Sequence, residues 1–476
     1  MNLVVFSGGT ATNNLTPCFS ELSIAKGCEL SFILPISDNG GSTSEILRVL
    51  GGPAIGDIRS RVVRLVTDDQ VEELLSYRLP NDKSRAKQEW DEILEGNHPI
   101  WDKTPMEVKE ICRAFFIHVQ SELLKRKRTS NPFRFEKASI GNFFLTGARL
   151  FLGSLDASVE LMMRIGRCDP NVHVIPCINS NHTHHISALL SNGDIIAGQS
   201  QISHPSKPIA AAKARSGSIP ILSGKSGAIH LDIPEERSSY SFEASEDVYG
   251  KQEGEEEEEE EEREEEEDAE EEEEYANPIY ILPELKNSQL HFDKLDVEEV
   301  LPAPIERLFY INPYGEEVKP SGNSRAIAKL KKSNMVIYSI GSLFTSLLPI
   351  AILGNIAEAI SSSKNIHKVL LINNKYDRET SWLNGLGYVQ VFIESMTRAN
   401  RKYKEAREGI PGSSAHEKMC WKKFVTDIVY LTGSEVKINK IDFLKKGIKC
   451  HEINSDKINN ENLMEILKKI HITGSS

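Results

Sequence analysis

Short apolar runs open this chain and recur along it, each stopping at glycines and hydroxyl residues. "LVVF" stops at Ser7-Gly8-Gly9-Thr10, and "LSFILPI" (Leu30 to Ile36) stops at Asp38-Asn39-Gly40-Gly41-Ser42-Thr43. Behind each stop the apolar positions spread to helical spacing, in "NNLTPCFSELSIAK" and "TSEILRVL". A continuous apolar run followed by helical spacing marks a βα unit with a strand buried on both faces. Repeated units predict a parallel sheet covered by helices, an α/β fold. Much later "NMVIYSIGSLFTSLLPIAILGNIAEAI" repeats the plan as strand, Gly341-Ser342 loop and helix. "HKVLLINNK" and "FVTDIVYLT" predict two more strands, and "NLMEILKKI" a C-terminal helix.

Residues 62–140 break the rhythm. "VEELLSYRL", "KQEWDEILEG" and "TPMEVKEICRAFFIHVQSELLKRKR" have helical spacing and predict a helical excursion from the sheet. Thr104-Pro105 reads as a cap with proline at the first helical position. "SIGNFFLTGARLFLG" (Ser139 to Gly153) predicts a core helix and "NVHVIPCIN" a strand. In "HISALLSNGDIIAGQSQIS" two β-runs flank Asn192-Gly193, a hairpin turn signal. Met335 to Ala357 carries no charge, but Gly341, Ser342, Thr345, Ser346, Pro349 and Asn355 interrupt it. It reads as strand, loop and buried helix, not as a membrane span.

Charge is distributed unevenly. From Glu255 to Glu274 there are 17 Glu and one Asp against one Arg, a net of −17. The whole chain is −14, which leaves +3 for all other residues. The tract cannot bury enough apolar surface to offset ordering its backbone, so residues 238–276 are expected to be a disordered insertion. Residues 1–237 and 277–476 together are expected to form one domain, because βα units stand on both sides. A near-neutral body carries no broad nucleic-acid footprint. The acidic tract suits basic protein partners. Seven scattered cysteines without a C-x-x-C pair argue against a disulfide framework or zinc ribbon and for a reducing compartment, the cytoplasm. "MNLVVFSGG" enters a strand directly and lacks a secretory signal's basic and long apolar regions. "KRKR" (Lys125 to Arg128) reads either as a nuclear import patch or as the basic end of a helix.

The candidate chemistry lies in the loops. Glycines let backbone approach a phosphate, and a helix N-terminus beyond them offers free N–H groups and the positive end of its dipole. Gly8, Gly9 and Thr10 have that form, as an ordinary tight βα turn also does. Asp38 could accept a ribose hydroxyl or hold Mg²⁺, with Asn39, Gly40, Gly41 and Ser42 giving donors to a phosphate. Capping of the next helix by Asp38 or Ser42 is the alternative. Asp57 and Arg59, in "GDIRS", pair a carboxylate with a guanidinium, which suits phosphate recognition or a plain ion pair. Gly341, Ser342 and Thr345 form the third such loop. In open α/β sheets all strand carboxyl ends share one edge, and ligands bind there. The cluster His182, His184 and His185 lacks a supporting Cys or carboxylate at metal spacing and reads as solvated loop histidines.

Six segments in order, "SGGTAT", "SDNGGSTSEILR", "GDIRS", "SIGNFFLTGA", "SNGDIIAGQSQI" and "IGSLFTSLLPIAI", resemble the CofD-like superfamily. That group holds the 2-phospho-L-lactate transferases and the YvcK-type gluconeogenesis factors. "DNGGST" and "GSLFTS" look closer to the YvcK branch. The resemblance implies a Rossmann-like, mostly parallel sheet with helices on both faces, a homodimer, and a nucleotide-linked ligand across the strand ends. In the transferase branch it implies passage of a phospholactyl-type group from a GDP-linked donor to a deazaflavin precursor with Mg²⁺. In the YvcK branch it implies a UDP-sugar or NAD as ligand of a metabolic regulator. On this view Asp38 and Asp57 are the catalytic carboxylates, Asp38 holds the metal, and Asn142 contacts ribose or base. This chain departs from the family pattern at Ala11, Ser44 and Ser60, and has Asn39 where the transferase has a second aspartate.

Overall fold

In the computed structural model, residues 1–8, 11–24, 27–37, 40–126, 132–203, 300–409 and 419–473 are described. The first strand, β1 (Leu3–Phe6), is buried at every position, as are β2 (Leu30–Leu34) and β8 (Met335–Tyr338). With β3 (Val172–Pro176), β9 (His367–Leu371), β10 (Asp427–Leu431) and β11 (Lys449–Ile453) they form one seven-stranded sheet in the order β11-β10-β9-β8-β1-β2-β3. Every pairing is parallel. Leu3 lies opposite both Leu30 and Met335, so the strand before and the strand after residues 204–299 flank β1.

Right-handed crossovers explain the layers. The chain steps from β1 to β2 to β3 in one direction, then returns and steps from β8 to β11 in the other. Crossovers of one hand running in opposite directions put their helices on opposite faces. One set includes Gly56–Val63 and Leu155–Ile165, which pack on β3. The other includes Gly354–Ser362 packed against Gly385–Glu408.

The excursion between β2 and β3 contains Asp69–Ser76, Lys83–Glu95 and Met106–Lys125. Its centre is Trp90, fully buried against Phe116, Phe135 and Phe143, with ring centroids 4.4 to 5.8 Å away. Pro105 stands before the Met106–Lys125 helix rather than at its first turn. The Thr104 hydroxyl donates to the Ile100 carbonyl, so it makes no cap. The expected core helix is Ile140–Leu152, and the hairpin turns at Gly193, where φ is +94°.

A second sheet was not anticipated as a separate layer. β4 (His185–Leu190), β5 (Ile195–Ala197), β6 (Ile305–Ile311) and β7 (Glu317–Val318) pair antiparallel in the order β5-β4-β6-β7. His185 starts β4 and is buried, and burial lowers its pKa to about 4. The reading of these histidines as solvated is therefore corrected for His185, while His182 is exposed. The acidic tract lies outside the described residues.

Among the described residues no single helix is long and apolar enough to cross a membrane. Leu343–Ala351 and Gly354–Ser362 pass that test only together, and they meet at a bend of 75°. None of the seven cysteines is joined in a disulfide.

Candidate functional site at the strand carboxyl ends

The order of the large sheet places its switch point between β1 and β8, the position at which open α/β sheets form their ligand crevice. The loops leaving these strands are stitched together. The amide of Ser339 donates to the Phe6 carbonyl at 3.0 Å, and the amide of Ser7 to the Ile33 carbonyl of β2 at 3.2 Å. The Thr12 hydroxyl donates to Ser339 Oγ at 3.1 Å and to the Ile340 carbonyl at 3.0 Å. Gly8 lies so close to the next loop that an added Cβ would sit 2.6 Å from Ser346 Cβ. The first and third glycine loops of the sequence therefore touch.

The second loop arrives beside them. Gly41 has φ +57°, a left-handed value that favours glycine, and opens the Ser42–Leu50 helix. Asn142, near the start of its own helix, donates from Nδ2 to Ser42 Oγ at 3.2 Å and to Thr43 Oγ1 at 3.4 Å. The stem of Arg59 packs on Gly141, where a Cβ would meet its Cγ at 2.9 Å. Asn13 Nδ2 donates to Ser60 Oγ at 3.1 Å, joining the first loop to the helix that carries Asp57 and Arg59. Of the residues named from the sequence, Gly8, Gly40, Gly41, Ser42, Asp57, Arg59, Asn142, Gly341, Ser342 and Thr345 are described. Gly9, Thr10, Asp38 and Asn39 lie outside the described residues.

This edge is rich in buried polar atoms. Ser7 Oγ, Ser139 Oγ and Asn142 Oδ1 are buried without a hydrogen-bond partner among the described residues. Nearly all buried polar groups in folded proteins are paired, so these atoms call for partners beyond the described residues. The edge also carries a half-buried cation, Arg59, and a buried one, Arg61. Burial pushes the Arg59 guanidinium down to about 10, with Arg78 adding and Asp57 opposing, and Arg61 is likewise pushed to about 10. Both stay charged near neutral pH. Arg61 Nη1 donates to Thr16 Oγ1 at 2.6 Å, and its guanidinium lies 4.5 Å from the Phe32 ring centroid.

Glu379 and Asn373 were missed from sequence. Asn373 follows β9 and clamps Gly341 from both sides, accepting from its amide at 3.1 Å and donating to its carbonyl at 2.6 Å. Glu379 is fully buried. It accepts from the Ser342 hydroxyl, from the Phe344 amide at 3.1 Å and from Thr345 Oγ1 at 2.8 Å. The predicted Ser342 and Thr345 hydroxyls thus point at a carboxylate. Burial, and next the charge of Asp377, push the Glu379 carboxyl up to about 7, while its three donors pull the other way. "DRET" (Asp377 to Thr380) is a mixed polar stretch without glycine, so only its neighbours in space mark it.

The described residues bring no three His, Cys, Asp or Glu side chains together as a metal site.

The family model for 2-phospho-L-lactate transferase CofD matches residues 3–464, and the chain belongs to that family. Membership supports a function of the 2-phospho-L-lactate transferase type. The uncharacterised protein YNL011C of Saccharomyces cerevisiae is 60% identical over 474 residues, 99% of each chain. Two crystal structures of BH3568 from Bacillus halodurans, one described as a UPF0052 family member, superpose with TM-score 0.52 at 15% identity. They cover 98% of this chain and 98% and 99% of theirs, and they support the fold alone.

Proposed function

We propose that the strand-end crevice binds a nucleoside diphosphate-linked donor and transfers a phospholactyl-type group from it. The observation that carries this reading is the meeting of Gly8 with the Gly341–Ser346 loop, beside buried polar atoms without hydrogen-bond partners among the described residues. The diphosphate lies over Gly8, Gly9 and Thr10 and over Gly40, Gly41 and Ser42, at the N-terminus of the Ser42–Leu50 helix. Arg59 supplies a desolvated cation for a phosphate oxygen. Asn142 spends its donors on Ser42 and Thr43, so its Oδ1 accepts from a ribose hydroxyl or base N–H. An acceptor hydroxyl attacks the distal phosphorus. Its new O–P bond forms as the bond to the nucleoside monophosphate breaks, and its proton passes to Asp38 or Asp57. Fixed donors and positioning carry most of the rate. Glu379 acts as a positioning residue for the Gly341–Thr345 turn.

A second reading, a non-catalytic sensor of the YvcK type that binds a UDP-sugar or NAD, is favoured by Asn39 in place of a second aspartate. Thermal shift with GDP, UDP, a UDP-sugar and NAD, each with and without Mg²⁺, separates the two. A nucleotide at a hundred times its Kd stabilises by about 2.7 kcal/mol. Mg²⁺-dependent stabilisation by a diphosphate, plus mass-spectrometric detection of the transferred group on a deazaflavin acceptor, supports the transferase. Metal-indifferent stabilisation without turnover supports the sensor. No shift with any nucleotide removes both.

A further inference from the structure

One face of the Gly385–Glu408 helix presents Ser395, Arg398, Ala399, Lys402, Tyr403 and Ala406, spaced three and four residues apart. That face lines a cavity of about 280 Å³. β6 closes it with Leu308 and Phe309, and the turn Ile352-Leu353-Gly354 closes another side. None of its lining residues belongs to the strand-end crevice. Its walls are mostly apolar, while its charged groups are mostly cations.

Four cations border the cavity, Arg307, Lys319, Arg398 and Lys402, against one carboxylate, Glu317. That carboxylate is already used. Arg307 grips it with two hydrogen bonds, 2.7 and 2.9 Å, and lies over the Phe309 ring at 4.4 Å. Among the described residues Lys319, Arg398 and Lys402 make no close ion pair, and only the charge of Glu317 reaches Lys319 and Lys402 from further off. Arg398 and Lys402 are like charges four apart on one helix, an arrangement that weakens a helix unless something else favours it. The Lys402 ammonium is lowered by partial burial first. The charge of Glu317 opposes this, and Arg307, Lys319 and Arg398 reinforce it.

We propose that this cavity binds an amphipathic anion, an apolar body of about ten non-hydrogen atoms carrying a terminal carboxylate or phosphate. The volume equals the liquid share of about nine waters at about 30 Å³ each, enough for a body of that size. Apolar walls take the body out of water, and the unpaired cations take the head. A small polar anion would leave the walls uncovered, and a neutral apolar molecule would leave three cations unpaired. Medium-chain fatty acids and alkyl phosphates share this chemistry.

Titration calorimetry on the full chain, below micellar concentrations, tests it with decanoate, decyl phosphate, decanol and inorganic phosphate. Decanoate or decyl phosphate should bind, and decanol and phosphate should bind at least about tenfold more weakly. Which of the two anions binds tighter identifies the head group. The Arg398→Glu/Lys402→Glu pair should weaken the anions by at least about tenfold. The exposed Lys319→Glu should act in the same direction if the helix variant folds poorly. No binding by either anion overturns the proposal. So does decanol binding as tightly as decanoate, or affinity unchanged in both variants. The nucleotide response of the strand-end crevice should survive in each variant, so failure here and failure there are read separately.

Discussion

Glu45 and Glu379 are both buried near the strand ends, yet their surroundings are opposite. Glu45 stands in the first turn of the Ser42–Leu50 helix and is held by Arg48 at 2.9 and 2.5 Å and by the Arg134 amide at 2.8 Å. Burial alone would raise its carboxyl, but the hydrogen bonds and charge of Arg48, with Arg134, hold it below the usual range. Glu379 faces two hydroxyls and an amide, with a second acid behind it, and is pushed up instead. A buried carboxylate gripped by cations is a fixed anchor. One gripped only by neutral donors changes charge near neutral pH and can tune the loop it holds.

The largest expected effect breaks the anchor. Glu45→Ala strands Arg48, whose side chain is 6% exposed, without its counter-charge. Urea denaturation should show a loss of about 3–5 kcal/mol. A loss below about 1 kcal/mol would mean that Glu45 is no anchor and would dissolve the contrast.

Next comes the seam between the first and third loops. Gly8→Ala places a methyl 2.6 Å from Ser346 Cβ and 3.0 Å from Ser346 Cα, so one loop must move. Overpacking of this kind costs about 1–3 kcal/mol. Nucleotide-induced thermal shift should fall far more than stability does. Intact nucleotide response in this variant would separate the ligand from the seam.

The third effect sharpens the comparison through pH. With a folded pKa of about 7 against an ordinary 4.5, Glu379 contributes stability that is fully present below pH 4.5 and lost as pH rises through 7. The slope is at most about 1.4 kcal/mol per pH unit. Glu45, lowered, contributes stability present above 4.5 and lost as pH falls. Glu379→Gln keeps the shape and removes the titration. Relative to wild type its stability should therefore climb between pH 4.5 and 7. A difference that stays flat across that window would show that Glu379 does not titrate there.

Strands that read clearly in the sequence are those buried on both faces. "LVVF" and "MVIY" have no polar position to confuse the pattern. β11, "KCHEI", stayed hidden because it is an edge strand with Lys449 and Glu452 exposed, so its pattern is neither continuous nor alternating. The Gly385–Glu408 helix was also missed. Its buried positions, Tyr388, Val389, Phe392, Ile393 and Met396, follow helical spacing, but two glycines and the β-branched "VQVFI" obscure its start. The second sheet was illegible for another reason, since β4 and β6 pair across more than a hundred residues. At the crevice, glycines and hydroxyls announced themselves by type and position. Glu379 and Asn373 function through what they touch, and nothing in their local sequence shows that.

The smallest effect on stability is the most telling for the site. Ser7 is fully buried, and its Oγ has no partner among the described residues. Replacing a buried, unpaired hydroxyl with a methyl hydrogen removes a desolvation penalty of about 1–3 kcal/mol and leaves almost no void. Ser7→Ala should therefore fold as well as wild type or better. If the hydroxyl faces ligand, the same change should weaken nucleotide binding, because a bond made only in the complex is lost. Stability held while affinity falls is the signature of a residue kept for binding at the expense of folding. A variant that loses stability instead would show that Ser7 has a structural partner, and the crevice would resemble the Glu45 anchor rather than differ from it.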